Sequence, residues 1–255
     1  MWPEYAYGGS TMSGFPVGIL TIKTAHALLP GNVQHAQSFP APVLYREIAV
    51  SNAHALMRGD TSLLQPIISA ARFLEEQGVR AIAGACGSFA YYQMAVANAV
   101  NIPVFLSIMT QVPFIQQSLG SNKKLCIVCA AEFTMNTRVF EQCGINTISN
   151  LAICEMRGCS EFERMLAGQE PIDAGKLCDE VLAVCTEATQ RDRAIAAFLL
   201  QCSDLPPFGS DIQRATGLPV FDMTLLIRWL QSATDYLPYS GIYRRRPRPS
   251  INSQP

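Results

Sequence analysis

The stretch AIAAFLLQCSDLPP, residues 194–207, decides how this chain is read. Its opening run, AIAAFLLQ (194–201), is apolar almost throughout, the pattern of a strand buried on both faces of a parallel sheet. The run then delivers a thiol, a hydroxyl and a carboxylate (Cys202, Ser203 and Asp204) and halts on Pro206 and Pro207. One reading is a small core cysteine followed by a turn. The other is a strand that presents chemistry at its carboxyl end, where open α/β sheets bind their ligands.

An echo elsewhere in the chain favours the second reading. Cys86 is followed by Pro103-Val104-Phe105 at the spacing with which Cys202 is followed by Pro219-Val220-Phe221, and Ala99 and Ala215 match at the same offset. Each cysteine follows a strand-like run, precedes a helical pattern, and is succeeded by a second strand opening at proline. The spacing predicts two related halves, each with one cysteine at the same topological place.

Strand-like runs are expected at 17–22, 43–50, 79–85, 102–108, 124–129, 147–153, 194–201 and 218–221. Helices are expected at 62–77, with Pro66 in the first turn and Gly78 as terminator, and at 134–142, 172–190 and 223–234, the last with Asp222 as N-cap. This alternation predicts an α/β fold of two pseudo-symmetric lobes with mostly parallel sheets and an interlobe active site. Residues 15–112 form the expected N-terminal lobe, completed by 225–242. Residues 113–224 form the C-terminal lobe, and 1–14 and 243–255 are flexible termini.

Of the 255 residues 49% are hydrophobic and 15% charged, so a large core is expected. A formal charge of −1 gives no electrostatic reason to bind nucleic acid or membrane. No apolar run reaches the roughly 18 residues of a membrane span. The first residues lack a signal-peptide pattern, which predicts a cytoplasmic protein. The nine cysteines are odd in number and suit reduced thiols, most of them core residues. Cys126 and Cys129 have redox or zinc spacing, yet residues three apart on a strand face opposite ways, so core positions are expected for both, and no metal site is predicted. Cys154 and Cys159 flank a turn without evident ligand partners. His26 follows the first strand, where a surface or core role is favoured over a place in the cleft.

If the halves face one another, Cys86 and Cys202 approach one cleft from opposite sides. A thiol titrates near 8.5, so one can remove a proton from carbon while the other returns one to the opposite face. The segments GSFAYYQ (87–93) and SDLPPFG (203–209) start helices whose amides favour an anion.

The segments AIAGACGSFAYYQ, FLLQCSDLPPFGSDIQRATGLPVFDMTLLIRW and VGILTIKTAHALLPGNV resemble the aspartate/glutamate/hydantoin racemase superfamily over roughly residues 15–240. The resemblance implies two α/β lobes, an active site between them, no cofactor, and Cys86 and Cys202 as a catalytic thiol–thiolate pair. It implies substrate-carboxylate contacts from Gly87, Ser88, Ser203 and Asp204, with Thr21 and Thr134 as further contacts. The chain departs from glutamate racemases in the loop after its first strand, which reads Gly18-Ile19-Leu20-Thr21 where those enzymes have an aspartate. It departs again at Asp204, where they have a histidine. Asp204 is read either as a helix cap or as an assistant to the thiols. Cys86 stands where arylmalonate decarboxylases have glycine, which disfavours decarboxylation.

The expected function is a cofactor-independent racemase or epimerase of an amino acid or related small carboxylate. Two alternatives stand beside it: cis–trans isomerisation of an unsaturated diacid by the same cysteines, and non-catalytic binding of a small molecule. The expected partner is a small carboxylate substrate, and a homodimer is the default assembly. Phe89, Tyr91 and Phe208 are expected near the cleft.

Overall fold

A computed structural model of the protein describes residues 12–49 and 53–236. Residues 1–11, 50–52 and 237–255 lie outside the described residues, and with them most of the expected terminus 1–14, all of the expected terminus 243–255 and the last residue of the expected strand 43–50. Two four-stranded, all-parallel sheets carry the architecture. The first contains β1 (Val17–Ile22), β2 (Val43–Ile48), β3 (Ala81–Gly84) and β4 (Val104–Phe105), in the order β2-β1-β3-β4. The second contains β5 (Lys124–Cys129), β6 (Leu151–Glu155), β7 (Ile195–Leu200) and β8 (Val220–Asp222), in the order β6-β5-β7-β8. The identical order is the repeat that the cysteine spacing predicts: Cys86 follows β3 and Cys202 follows β7, the third strand of each half.

Helices connect these strands: α1 (Ala53–Met57), α2 (Leu64–Glu76), α3 (Gln93–Ala97), α4 (Val112–Ser118), α5 (Thr137–Gln142), α6 (Ser160–Leu166), α7 (Ala174–Arg191), α8 (Gly209–Thr216) and α9 (Met223–Thr234). Apolar spacing fixes their buried faces. On α2, Ile67, Ala70, Ala71 and Leu74 are buried at helical intervals, and Gly78 beyond it takes the left-handed φ of +85° that ends a helix cheaply only at glycine. The Asp222 carboxylate accepts from the Leu225 amide and from the Thr224 hydroxyl, capping α9 as expected. Although α9 follows the second sheet in sequence, it packs on the first. Arg228 donates to the Ser38 carbonyl and Gln231 to that of Ala41.

Three expected elements change on folding. The run 102–108 supplies only the two-residue β4, because the Leu106 amide turns to Gln93 Oε1 at 2.8 Å instead of to a strand. The Gln93 amide nitrogen bonds the Val104 carbonyl, also at 2.8 Å, so one buried side chain replaces the ladder. The run 147–153 shifts to Leu151–Glu155, where it pairs in register with β5 through Cys129↔Glu155. Finally, the segments after both cysteines open as 3-10 turns, Gly87–Tyr92 and Pro206–Phe208, before α3 and α8 begin. Thr134 likewise ends a 3-10 turn, Glu132–Thr134, that precedes α5.

Candidate active site

The two thiols reach one cavity by equivalent routes. Past β3 the Ala85 amide bonds the Leu20 carbonyl of β1 at 2.8 Å, and past β7 the Gln201 amide bonds the Val128 carbonyl of β5 at 2.9 Å. Each third strand is thus tied to its central neighbour one residue before its cysteine. The peptide after each bond leaves the sheet and presents the thiol between the lobes. Cys86 and Cys202 both line a cavity of about 80 Å³.

The lobes touch closely here. A Cβ placed on Gly87 would lie 2.3 Å from the Gln201 carbonyl oxygen, so only glycine lets the Cys86 loop approach the Cys202 strand. Gly31, with φ +102°, packs in the same way against the backbone of Pro207.

The cavity has two characters. Ile22, Met57, Ala85, Ala130 and Leu166 supply apolar wall. Facing them are Ser88, Thr134, Ser203, Asp204, His26, Thr24, Gln34 and Gln201 beside the thiols. Among the described residues, no lysine or arginine lines it. A carboxylate entering the cavity is therefore met by amides and hydroxyls.

His26 and Asp204 form the cavity's charged pair. His26 Nε2 lies 3.0 Å from Asp204 Oδ1, and Asn32 donates to the same oxygen at 2.6 Å. The other oxygen, Oδ2, faces Cys202 Sγ at 3.6 Å. The His26 side chain is 6% exposed. Its hydrogen bond to Asp204 raises its pKa against the opposing effect of burial.

Both thiols are hard to ionise where the protein alone surrounds them. Burial pushes Cys86 up to about 11, with the Asp204 charge adding to the rise and the Ser88 amide and hydroxyl countering it. Burial pushes Cys202 well above the usual thiol range, and the adjacent Asp204 carboxylate pushes it further. The charge of Cys86 also bears on Cys202. Cys86 is the easier of the two to deprotonate, and a positively charged ligand would lower both.

Of the residues singled out by sequence, Cys86, Gly87, Ser88, Thr134, Cys202, Ser203 and Asp204 come together on this cavity. Thr21 does not: it is buried in β1, and its neighbours Ile22 and Thr24 reach the cavity instead. Phe89, Tyr91 and Phe208 are core residues, not cleft residues. Asp204 caps no helix, its side chain being taken by His26, Asn32 and Cys202. The weak claim of His26 on the cleft is corrected upward, since its ring partner stands 178 positions away in sequence. Asn32, Met57, Ala130, Leu166 and Gln201 carried no local signal at all. Cys126 and Cys129 are both fully buried, as their strand spacing predicts.

This two-lobed arrangement is a fold shared with arylmalonate decarboxylase, allantoin racemase and glutamate racemase. Unliganded arylmalonate decarboxylase superposes with a TM-score of 0.55 at 16% identity, covering 86% of this chain and 92% of that one. Allantoin racemase from Pseudomonas fluorescens gives 0.57 at 13% identity over 85% and 89%. Glutamate racemase from Francisella tularensis gives 0.53 at 18% identity over 86% and 80%. The curated relatives are named for a different reaction from these neighbours. A dimethylsulfoniopropionate lyase of Durusdinium sp. clade D is 29% identical over 81% of this chain and 70% of its own length. Dimethylsulfoniopropionate lyase 3 of Emiliania huxleyi is 25% identical over 81% of this chain, which spans 56% of that relative. No family model matches the chain. Among the described residues, no helix is long and apolar enough to cross a membrane.

Proposed function

We propose that the protein is a cofactor-independent lyase that removes the proton α to a carboxylate and expels a neutral sulfide from the β carbon, with dimethylsulfoniopropionate or a near analogue as substrate. A thiolate takes the α proton, the Cα–Cβ double bond forms, and the Cβ–S bond breaks with its electron pair leaving on sulfur. The products are acrylate and dimethyl sulfide. A sulfide departing from a sulfonium needs no proton, so one base suffices for the elimination.

The observation that carries this reading is the cavity: two thiols and one carboxylate, no lysine or arginine among its described lining, and an apolar wall. A sulfonium adds a fixed positive charge to a lining whose one basic side chain, His26, is already paired with Asp204. At about 4 Å and an effective dielectric near 20 a unit positive charge favours a thiolate by about 4 kcal/mol, or about three pKa units. That is the size of help a thiol held near 11 needs to ionise close to neutrality. The amides and hydroxyls of Gly87, Ser88 and Ser203 suit the substrate carboxylate, and Ile22, Met57 and Leu166 suit the sulfonium methyl groups. Similarity to lyases over 81% of the chain agrees with this chemistry.

Racemisation of an amino acid or related carboxylate is the second reading, favoured by one observation: the second thiol stands on the same cavity, as two-face proton exchange requires. The two readings part in one pair of assays. Purified protein is given dimethylsulfoniopropionate and the headspace analysed for dimethyl sulfide. Separately, a panel of amino acids is incubated in deuterium oxide and α-hydrogen exchange followed by NMR. Sulfide release that disappears in Cys86→Ser and Cys202→Ser supports the lyase. Exchange without sulfide release replaces it with the racemase, and neither signal overturns both.

A further inference from the structure

A second pair of thiols lies outside the cavity's lining, in the C-terminal sheet. Cys126 Sγ and Cys154 Sγ are 3.5 Å apart. Strand pairing makes this contact. In the parallel register of β5 and β6, Cys126 stands opposite Ala152 and Cys154 opposite Val128, so the two sulfurs meet diagonally on the face covered by α7, where Cys185 is also buried. The Cys126/Cys129 spacing suggests a different partner, but Cys129 packs into the other core, on the opposite face of the strand.

The members of the pair are not equivalent. Cys126 sits on a central strand and is fully buried. Cys154 sits on the edge strand, half-buried, and lines a groove of about 370 Å³ between β6 and α7 together with Glu187, Arg191 and Asp192. One thiol is therefore open to a small solute, and the other waits behind it.

We propose that Cys154 is an oxidation site for hydroperoxides, with Cys126 as its resolving thiol. The Cys154 thiolate attacks the outer peroxide oxygen. An S–O bond forms, the O–O bond breaks, and sulfur loses two electrons as the peroxide is reduced to water or an alcohol. The Cys126 sulfur then attacks the sulfenic sulfur, the S–O bond breaks, and hydroxide leaves with the Cys126 proton as water. The closed bond brings the sulfurs to about 2.05 Å, a movement of about 1.5 Å that an edge strand paired on one side can supply. The Cys126 S–H pointing at Cys154 and the Arg191 guanidinium in the groove favour the Cys154 thiolate and together outweigh burial and the Glu187 carboxylate, which oppose it.

The test uses the intact protein with limiting hydrogen peroxide, alkylation without reduction, and tryptic mapping. Trypsin separates peptide 125–138, with Cys126 and Cys129, from 139–157, with Cys143 and Cys154. The expected product is these two peptides joined within one chain, at a cost of two hydrogens. The link is expected to survive in Cys129→Ser and Cys143→Ser and to vanish in Cys154→Ser, while dimedone traps Cys154 in Cys126→Ala. A wild-type map without the link, with oxidation confined to Cys86, Cys202 or the half-buried Cys178, overturns the proposal. So does a link that persists in Cys154→Ser. Fragmentation of the joined wild-type peptides, which locates the bond at Cys126 and Cys154 or at another pair, decides the matter even if a variant fails to fold.

Discussion

Replacing Asp204 by Asn should make Cys202 more reactive. Asp204 Oδ2 lies 3.6 Å from Cys202 Sγ, and its negative charge is the chief influence after burial holding that thiol protonated. Two like unit charges at that distance repel by about 1 kcal/mol in bulk water and by about 4–5 kcal/mol at an effective dielectric near 20. His26 on the far oxygen offsets part of the repulsion, so the lower figure is the expectation. A difference of about 1 kcal/mol raises the thiolate population roughly five- to tenfold. Asparagine keeps the shape of the side chain and an oxygen for Asn32, so the cavity retains its form. The assay is the rate of iodoacetamide alkylation at Cys202, followed peptide by peptide by mass spectrometry from neutral to alkaline pH in wild type and Asp204→Asn. Faster labelling of Cys202, with Cys178 unchanged as internal reference, is the expected result. Equal or slower labelling of Cys202 would show that the carboxylate does not set the thiol's ionisation, and the electrostatic account of the site would fail.

The His26–Asp204 pair joins the two lobes, and its effect on stability has a definite sign. His26 is raised above its ordinary 6.5 in the folded protein, so its stabilisation is fully present below that value and is lost as pH rises through the folded pKa. Denaturant midpoints measured across this range should fall with pH in wild type more steeply than in Asp204→Asn; parallel curves would refute the pairing. Gly87→Ala drives a Cβ to 2.3 Å from the Gln201 carbonyl oxygen. It should cost about 1–3 kcal/mol by chemical denaturation and reduce activity, whereas Gly120→Ala, whose nearest neighbour would be Asn122 at 3.4 Å, serves as a neutral control. Asp222→Ala removes the cap of α9 and should cost about 1 kcal/mol in the same experiment, with Asp222→Asn recovering most of it.

How much of this was legible in one dimension follows from the range of the interactions. The repeat of strand, cysteine and proline-led strand is local patterning, and it carried the two-lobed α/β fold, the Asp222 cap and the placing of both thiols at strand ends. The lengths of β4 and β6 were not legible, because each depends on which backbone groups find partners: Gln93 intercepts Leu106, and β6 stops only where β5 runs out of residues to pair. Chain patterning shows that a segment is apolar; it does not show where its ladder ends.

The sequence by itself determined that two cysteines occupy equivalent places in two halves, because apolar runs and turn residues act on their own neighbourhoods. Only the tertiary structure decided what stands around them. His26 reaches Asp204 across 178 positions, Cys126 finds Cys154 instead of Cys129, and Thr21 is drawn into the core while Thr24 faces the cavity. Charge and thiol chemistry depend on distances of a few ångströms. Those distances are set where the lobes meet at Gly87 and Gly31, beyond the reach of local preference.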